Sequence, residues 1–220
     1  MFVRRLSWRL AEAINRAGFL LFSRLSVIGK ENVPRKGGLL VVSNHLSMSD
    51  IPLLAAGLPR KLVFVGKQEL WRIPVMRMLG DWYDCFPIDR TTTDMRALKR
   101  SLQALAHGGA LVLFPEGTRS LDGKLLPGHP GAALIALYAD ARILPVAITG
   151  TDKARGMSWL WRRPRLTVSI GKPCKLDRPP GESLKSQLAP ATDTIMRQIA
   201  SLLPEERQGE YAPGRMKGQK

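Results

Sequence analysis

An α/β fold, a sheet with helices on its faces, is what this sequence predicts. Two observations carry that prediction. Short apolar runs of strand length alternate along the chain with longer stretches of helical period. Most runs are closed by Gly, Pro, Asn, Asp or Ser, the residues that end regular structure. The chain of 220 residues has no internal repeat and is long enough to bury a core as one domain.

Taken in order, residues 1–25 read as an amphipathic helix. Leu6, Leu10, Ala13, Ala17 and Leu21 recur at helical spacing, with Arg5, Arg9, Glu12 and Arg16 on the other side. This is the pattern of an interfacial helix whose basic face (Arg5, Arg9, Arg16) meets a membrane, and it is also the pattern of a helix packed on its own domain. The uninterrupted apolar stretch from Ala17 to Phe22 is too short for the roughly 20 residues of a membrane span. Without a small-residue cleavage site it does not read as a signal peptide either. Residues 26–203 form the expected domain. Strands are expected at 24–28, 39–42, 62–65, 84–88, 110–114, 143–148 and 166–170, and helices at 50–57, 74–80, 93–107, 131–138 and 183–203. The helix at 93–107 shows Met95, Leu98, Leu102 and Leu105 at helical spacing and stops at Gly108-Gly109. His107, in its last turn, fits a surface residue matched to the helix dipole. Residues 204–220, rich in Glu, Arg, Gly, Lys and Gln, read as a disordered basic tail.

Charge narrows the partners. Thirty-four Lys and Arg against eighteen Asp and Glu leave a formal net charge of +16, which calls for an anionic partner, nucleic acid or a lipid surface. Between Lys153 and Arg165, Trp159 and Trp161 stand among five basic residues. Such a segment suits the membrane interface, single-stranded nucleic acid, or a tryptophan buried under a loop. Cys85 and Cys174 show neither a disulfide framework nor metal spacing and point to a reducing compartment. With three scattered His and no Cys cluster, no metal site is expected.

Two segments carry chemistry. The apolar run Leu39 to Val42 ends in Ser43-Asn44-His45-Leu46-Ser47-Met48-Ser49-Asp50. A His that can accept a proton and a carboxylate that fixes its tautomer make a base at neutral pH. Asp50 before Ile51-Pro52 fits a helix N-cap as well, and Ser43 and Asn44 read as turn residues. Strand ends in α/β sheets are, however, where ligand-binding groups gather. The second run, Ala110 to Phe114, enters Pro115-Glu116-Gly117-Thr118-Arg119-Ser120. Gly117 permits positive φ or close backbone approach, and the Arg119 fork suits a phosphate. A plain turn with a Glu116–Arg119 surface pair is the other reading.

Together, Asn44-His45 with Asp50 and Phe114-Pro115-Glu116-Gly117-Thr118-Arg119-Ser120 resemble the glycerolipid acyltransferases of the 1-acyl-glycerol-3-phosphate (lysophosphatidic acid) type. Gly66-Lys67-Gln68-Glu69-Leu70 with Ile73-Pro74, then Pro87-Ile88-Asp89-Arg90, resembles that family's second block, and Ile143-Leu144-Pro145-Val146-Ala147-Ile148 its last. The likeness runs from about Val27 to Gly171. It implies a single mixed-sheet domain with helices on both faces behind the N-terminal helix. It also implies transfer of a fatty acyl group to the free hydroxyl of a lysophospholipid, with acyl-CoA or an acyl carrier protein thioester as co-substrate and no other cofactor. By that likeness His45 is the general base, Asp50 orients it, and no covalent enzyme intermediate forms. Arg119 would hold the acceptor phosphate, with Gly117 and Thr118 shaping the turn, and Lys67 and Arg90 as further ligands. For Lys67 the plain alternative is a solvated surface lysine. Glu116 would position its neighbours, through an ion pair with Arg119. The partner would be an anionic membrane, met as a peripheral or monotopic protein on its cytoplasmic face, and nucleic acid is not expected.

One departure stands out. Relatives often carry Phe-Lys-x-Gly after this turn, whereas the stretch here is Pro127-Gly128-His129-Pro130-Gly131. A His in place of Lys leaves room for a less anionic acceptor, another lysophospholipid or a glycolipid, or is simply a turn residue. A non-catalytic lipid- or nucleic-acid-binding module is the reading from another class.

Overall fold

The computed structural model describes residues 2–89, 94–153, 162–178 and 181–213, with residues 2–11 described by their backbone alone. Its centre is a seven-stranded sheet: β1 (Arg24–Ile28), β2 (Leu39–Ser43), β3 (Leu62–Lys67), β4 (Phe86–Ile88), β5 (Ala110–Leu113), β6 (Arg142–Thr149) and β7 (Arg165–Ile170). The order across the sheet is β1-β7-β6-β2-β5-β3-β4. β6, β2, β5, β3 and β4 run parallel, with Val41 opposite Leu144 on one side and Val112 on the other. β7 joins β6 antiparallel and β1 lies parallel to β7, so the sheet is mixed.

Among the described residues six α-helices cover it: α1 (Phe2–Phe22), α2 (Asp50–Gly57), α3 (Pro74–Trp82), α4 (Met95–Ala106), α5 (Gly131–Ala139) and α6 (Leu184–Ala200). β2 is buried along its whole length, as a central parallel strand covered on both faces must be. Its Leu39 and Val41 join a core with Phe19 of α1, Leu53 and Leu54 of α2 and Leu79 of α3. Leu40 and Val42 point the other way, into a core with Ala97 of α4, Ala133 of α5 and Ile195 of α6. Alternation along one strand thus sorts three helices to each face.

Several boundaries differ from expectation for local reasons. Asp94 is not the second residue of a helix but its N-cap, its carboxylate accepting the amides of Arg96 at 3.0 Å and Ala97 at 2.9 Å. β4 starts at Phe86 because Asp84 adopts φ 47°, a left-handed conformation no strand continues through. Ser183 likewise caps α6 instead of entering it. The expected disordered tail is ordered as far as residue 213. It forms two short 3₁₀ turns, Glu205–Arg207 and Gly209–Tyr211, and buries Tyr211. That segment pairs Arg207 with Asp152, both largely buried, through two contacts at 3.1 and 3.3 Å, and its Tyr211 hydroxyl accepts the Gly128 amide at 3.1 Å. Residues 214–220 lie outside the described set. No helix among the described residues is long and apolar enough to cross a membrane.

Candidate active site

The parallel strands bring the motif residues to one edge. β2 ends at Ser43, just before His45. β5 ends at Leu113, before the turn that holds Glu116 to Arg119, and β3 ends on Lys67 itself. In the sheet order β2, β5 and β3 are consecutive, so three segments far apart in sequence share the carboxyl edge of adjacent strands. Arg90 lies outside the described residues, as do Trp159 and Trp161.

His45 is fixed from four directions. Its Nδ1 lies 2.8 Å from Asp50 Oδ2, so the ring donates Nδ1–H to the carboxylate and leaves the Nε2 lone pair. Nε2 has no hydrogen-bond partner among the described residues. The His45 amide donates to Glu116 Oε1 at 2.7 Å, and its carbonyl accepts the Ser120 amide at 2.8 Å. Finally the imidazole stacks on Phe114, with centroids 4.1 Å apart and planes at 16°. The side chain is only 14% exposed, so the ring is held in a mostly dry socket with one nitrogen left for a ligand.

Asp50 is completely buried at the first turn of α2, where the helix dipole favours a carboxylate. The N-cap position belongs to Ser49, and Asp50 does not serve its own helix. Its Oδ2 folds back to accept the amides of Leu46 at 2.7 Å and Ser47 at 2.9 Å in addition to the imidazole. Three donors on one oxygen lock the loop between His45 and Asp50.

Glu116 corrects the expected ion pair. It is buried, whereas Arg119 is exposed, and both carboxylate oxygens are taken by backbone amides: His45 on Oε1 and Leu126 on Oε2 at 2.9 Å. Burial pushes this carboxyl up to about 7, against the pull of those two amide bonds. Glu116 is therefore a brace between two loops. The turn after it depends on Gly117, at φ 67°, whose amide donates to Phe114 O at 3.0 Å. A Cβ there would come within 2.8 Å of the His129 ring, which packs against the turn while its own amide donates to Pro115 O. Thr118, Arg119 and Lys67 stand exposed on this edge, and neither cation forms an ion pair among the described residues.

Asn44 was read from sequence as a turn residue, and the structure gives it a larger task. Its amide group spans to β6, accepting from the Ile148 N–H at 2.7 Å and donating to the Ile148 carbonyl at 2.9 Å. The side chain continues the β2–β6 pairing where β2 ends, which fixes the residue next to His45. Beside Phe114 lies a pocket of about 430 Å³, lined mainly by apolar side chains such as Val65, Leu98, Leu113 and Ile135. A larger cleft of about 720 Å³, near Gln68 and Arg100, touches none of the groups that hold His45. No cluster of His, Cys, Asp and Glu among the described residues could hold a metal.

Known proteins resemble this chain in sequence and fold. The chain is 31% identical to the chloroplastic 1-acyl-sn-glycerol-3-phosphate acyltransferase LPAT1 of Arabidopsis thaliana over 69% of its own length and 44% of that protein's. It is 26% identical to the 1-acyl-sn-glycerol-3-phosphate acyltransferase of Bacillus subtilis (strain 168) over 81% of this chain and 87% of that protein. The chain thus spans less than half of the plant relative. The crystal structure of the 1-acyl-sn-glycerophosphate (LPA) acyltransferase PlsC from Thermotoga maritima superposes with a TM-score of 0.67 at 28% identity, covering 90% of this chain and 81% of that one. The acyltransferase family profile matches residues 24–149, from the first residue of β1 to the last of β6. Those residues include every group that holds His45, and on that match the chain belongs to the acyltransferase family.

Proposed function

We propose that this protein transfers a fatty acyl group from an acyl thioester to the free hydroxyl of 1-acyl-glycerol-3-phosphate, giving phosphatidic acid. The observation that carries the proposal is the His45 imidazole, mostly buried, tied to Asp50 through Nδ1 and with Nε2 unengaged among the described residues. In this reading Nε2 takes the acceptor's hydroxyl proton as its oxygen bonds to the thioester carbonyl carbon. The carbon–sulfur bond then breaks and the imidazolium returns the proton to the departing thiolate, so no covalent enzyme intermediate is needed. Asp50 holds the tautomer and steadies the imidazolium. Arg119 and Lys67, exposed and without ion-pair partners among the described residues, are the proposed phosphate ligands, with Gly117 and Thr118 shaping the turn. Arg90 is a proposed third ligand. The apolar pocket beside Phe114 would receive an acyl chain. Acyl-CoA or an acyl carrier protein would supply the thioester. The protein would work on an anionic membrane as a peripheral or monotopic enzyme of the cytoplasmic face.

His129 favours a second acceptor. It packs on the turn that carries Arg119, where a lysine would add a full charge. A less anionic lysophospholipid or glycolipid hydroxyl fits that position. Thiol release from acyl-CoA, measured with lysophosphatidic acid in liposomes for wild type and His45→Ala, tests both readings. Acceptor-dependent release that falls by about 10²–10⁴ in the variant, with phosphatidic acid formed, is the expected result. Release only with another acceptor keeps the mechanism and replaces the substrate. Silence with every acceptor and donor in folded protein favours a binding module.

A further inference from the structure

Two glycines sit inside regular elements where neither uses a glycine's backbone freedom. Gly66 lies within β3 and Gly80 within α3, and neither has a positive φ. Glycine inside a strand or helix weakens it relative to alanine, so these two positions call for another reason. The reason is space, and one ring takes it at both. A Cβ on Gly66 would stand 2.9 Å from Trp71 Cζ3 and 3.0 Å from its Cη2, and a Cβ on Gly80 would stand 3.2 Å from Trp71 Cζ2. Cys85 closes the slot between them. Its Sγ would lie 3.1 Å from the first of those atoms, and its own Cβ 3.8 Å from the second. The benzo edge of the indole is therefore keyed between the end of β3, the body of α3 and the residue that precedes β4.

What the ring holds is the connection that follows Lys67. Gln68–Arg72 is a 3₁₀ turn without a side-chain cap, and Gln68, Glu69 and Arg72 are exposed. Trp71, half-buried, is the residue that reaches from this turn into the slot. It also borders the cleft of about 720 Å³, with Gln68, Pro87 and Arg100, so the indole has open space to move into if the slot does not retain it. Lys67 is both the last residue of β3 and the residue that leads into the turn.

We infer that Trp71 is a positioning residue for the acceptor phosphate: its indole, keyed between Gly66 and Gly80, holds the Gln68–Arg72 turn so that Lys67 stays on the carboxyl edge. A long, flexible side chain binds a phosphate well only when its backbone is fixed, because small misplacements at such contacts are costly. The inference rests on the reading of Lys67 as a phosphate ligand, and adds the device that fixes it.

Amide exchange and steady-state kinetics with acyl-CoA and lysophosphatidic acid test it. The set comprises wild type, Trp71→Ala, Trp71→Phe, Gly66→Ala, Lys67→Ala and the double variant of Lys67→Ala with Trp71→Ala. In Trp71→Ala the amides of residues 67–73 should exchange about tenfold faster, with the central strands unchanged. KM for lysophosphatidic acid should rise about tenfold in Lys67→Ala and about fivefold in Trp71→Ala. kcat should stay within about twofold, because a phosphate contact serves ground and transition states alike. The double variant should be no worse than Lys67→Ala alone, since both changes act through one contact. Trp71→Phe, which still fills part of the slot, should return KM close to wild type. Gly66→Ala pushes the same ring from the strand side and should raise KM as Trp71→Ala does.

Losses that multiply in the double variant make Trp71 an ordinary packing residue and overturn the inference. So does a fall in kcat and melting temperature with KM unmoved, or unchanged exchange at residues 67–73. Wild type that releases no thiol with lysophosphatidic acid defeats the acceptor reading, and the inference with it. Wild type and Lys67→Ala that behave as expected beside an uncoupled Trp71→Ala defeat the inference alone.

Discussion

At His45, two carboxylates act on one residue through different atoms, and substitution can separate them. Asp50 Oδ2 meets the ring and two loop amides. Asp50→Asn can keep a carbonyl oxygen at the Oδ2 position for all three donors, but it removes the negative charge that would steady an imidazolium. We expect acyl transfer to fall by about 10²–10⁴, with thermal stability lowered far less. Equal loss of both, measured by turnover and melting, would show that Asp50 only holds the loop. Glu116 acts on the backbone, and its burial gives a signature in pH. Its folded-state value of about 7 lies above the ordinary 4.5, so the native protein binds this proton more tightly than the unfolded chain. The stability from this group is full below 4.5 and is lost as pH rises toward and through 7. Glu116→Gln should flatten that fall between pH 5 and 8, and should cost about 1–3 kcal/mol where a side-chain NH₂ faces a backbone amide. Parallel melting curves for the two proteins across that range would count against the shift.

At the scale of the element, the site is a set of strand ends held in register. Asn44 carries much of that burden, because it continues the β2–β6 pairing with both halves of its amide. Asn44→Ala would leave the N–H and carbonyl of Ile148 unpaired in a buried region, a cost of about 1–3 kcal/mol for each such group that water cannot reach. The melting temperature should fall, and turnover with it, since the next residue is His45, the proposed base. This also shows where sequence reading stops. The strands announced themselves as apolar runs, and His45 with Asp50 was visible because side-chain chemistry at a strand end is rare enough to notice. The tasks of Asn44 and Glu116 were hidden because their partners are backbone groups 104 and 71 positions distant, which no residue letter marks. The period of α1 was equally plain, but a period names a stripe without saying whether the domain takes it. The domain took Phe19 and Asn15 instead.

Across the whole molecule, the ordered segment after Pro204 belongs to the site's support. Besides pairing with Asp152, Arg207 accepts the Leu125 amide through its carbonyl at 2.8 Å, and the next residue, Leu126, donates to Glu116. Deleting residues 205–220 should therefore lower the melting temperature and reduce turnover, whereas Tyr211→Phe, which removes only the hydroxyl that meets the Gly128 amide and Glu210, should do less of both. A truncated protein that melts and turns over like wild type would show the segment to be inert. The clasp on His45 by Glu116 and Ser120 has a consequence for the birth of the enzyme. A nascent chain that has emerged as far as residue 110 already contains the whole first motif, yet neither backbone group of its base has a clasp. The backbone of His45 is clasped only when the second turn, and then Leu126 behind it, leave the ribosome and close over it. Until then the growing chain carries His45 and Asp50 with the backbone of His45 still unclasped.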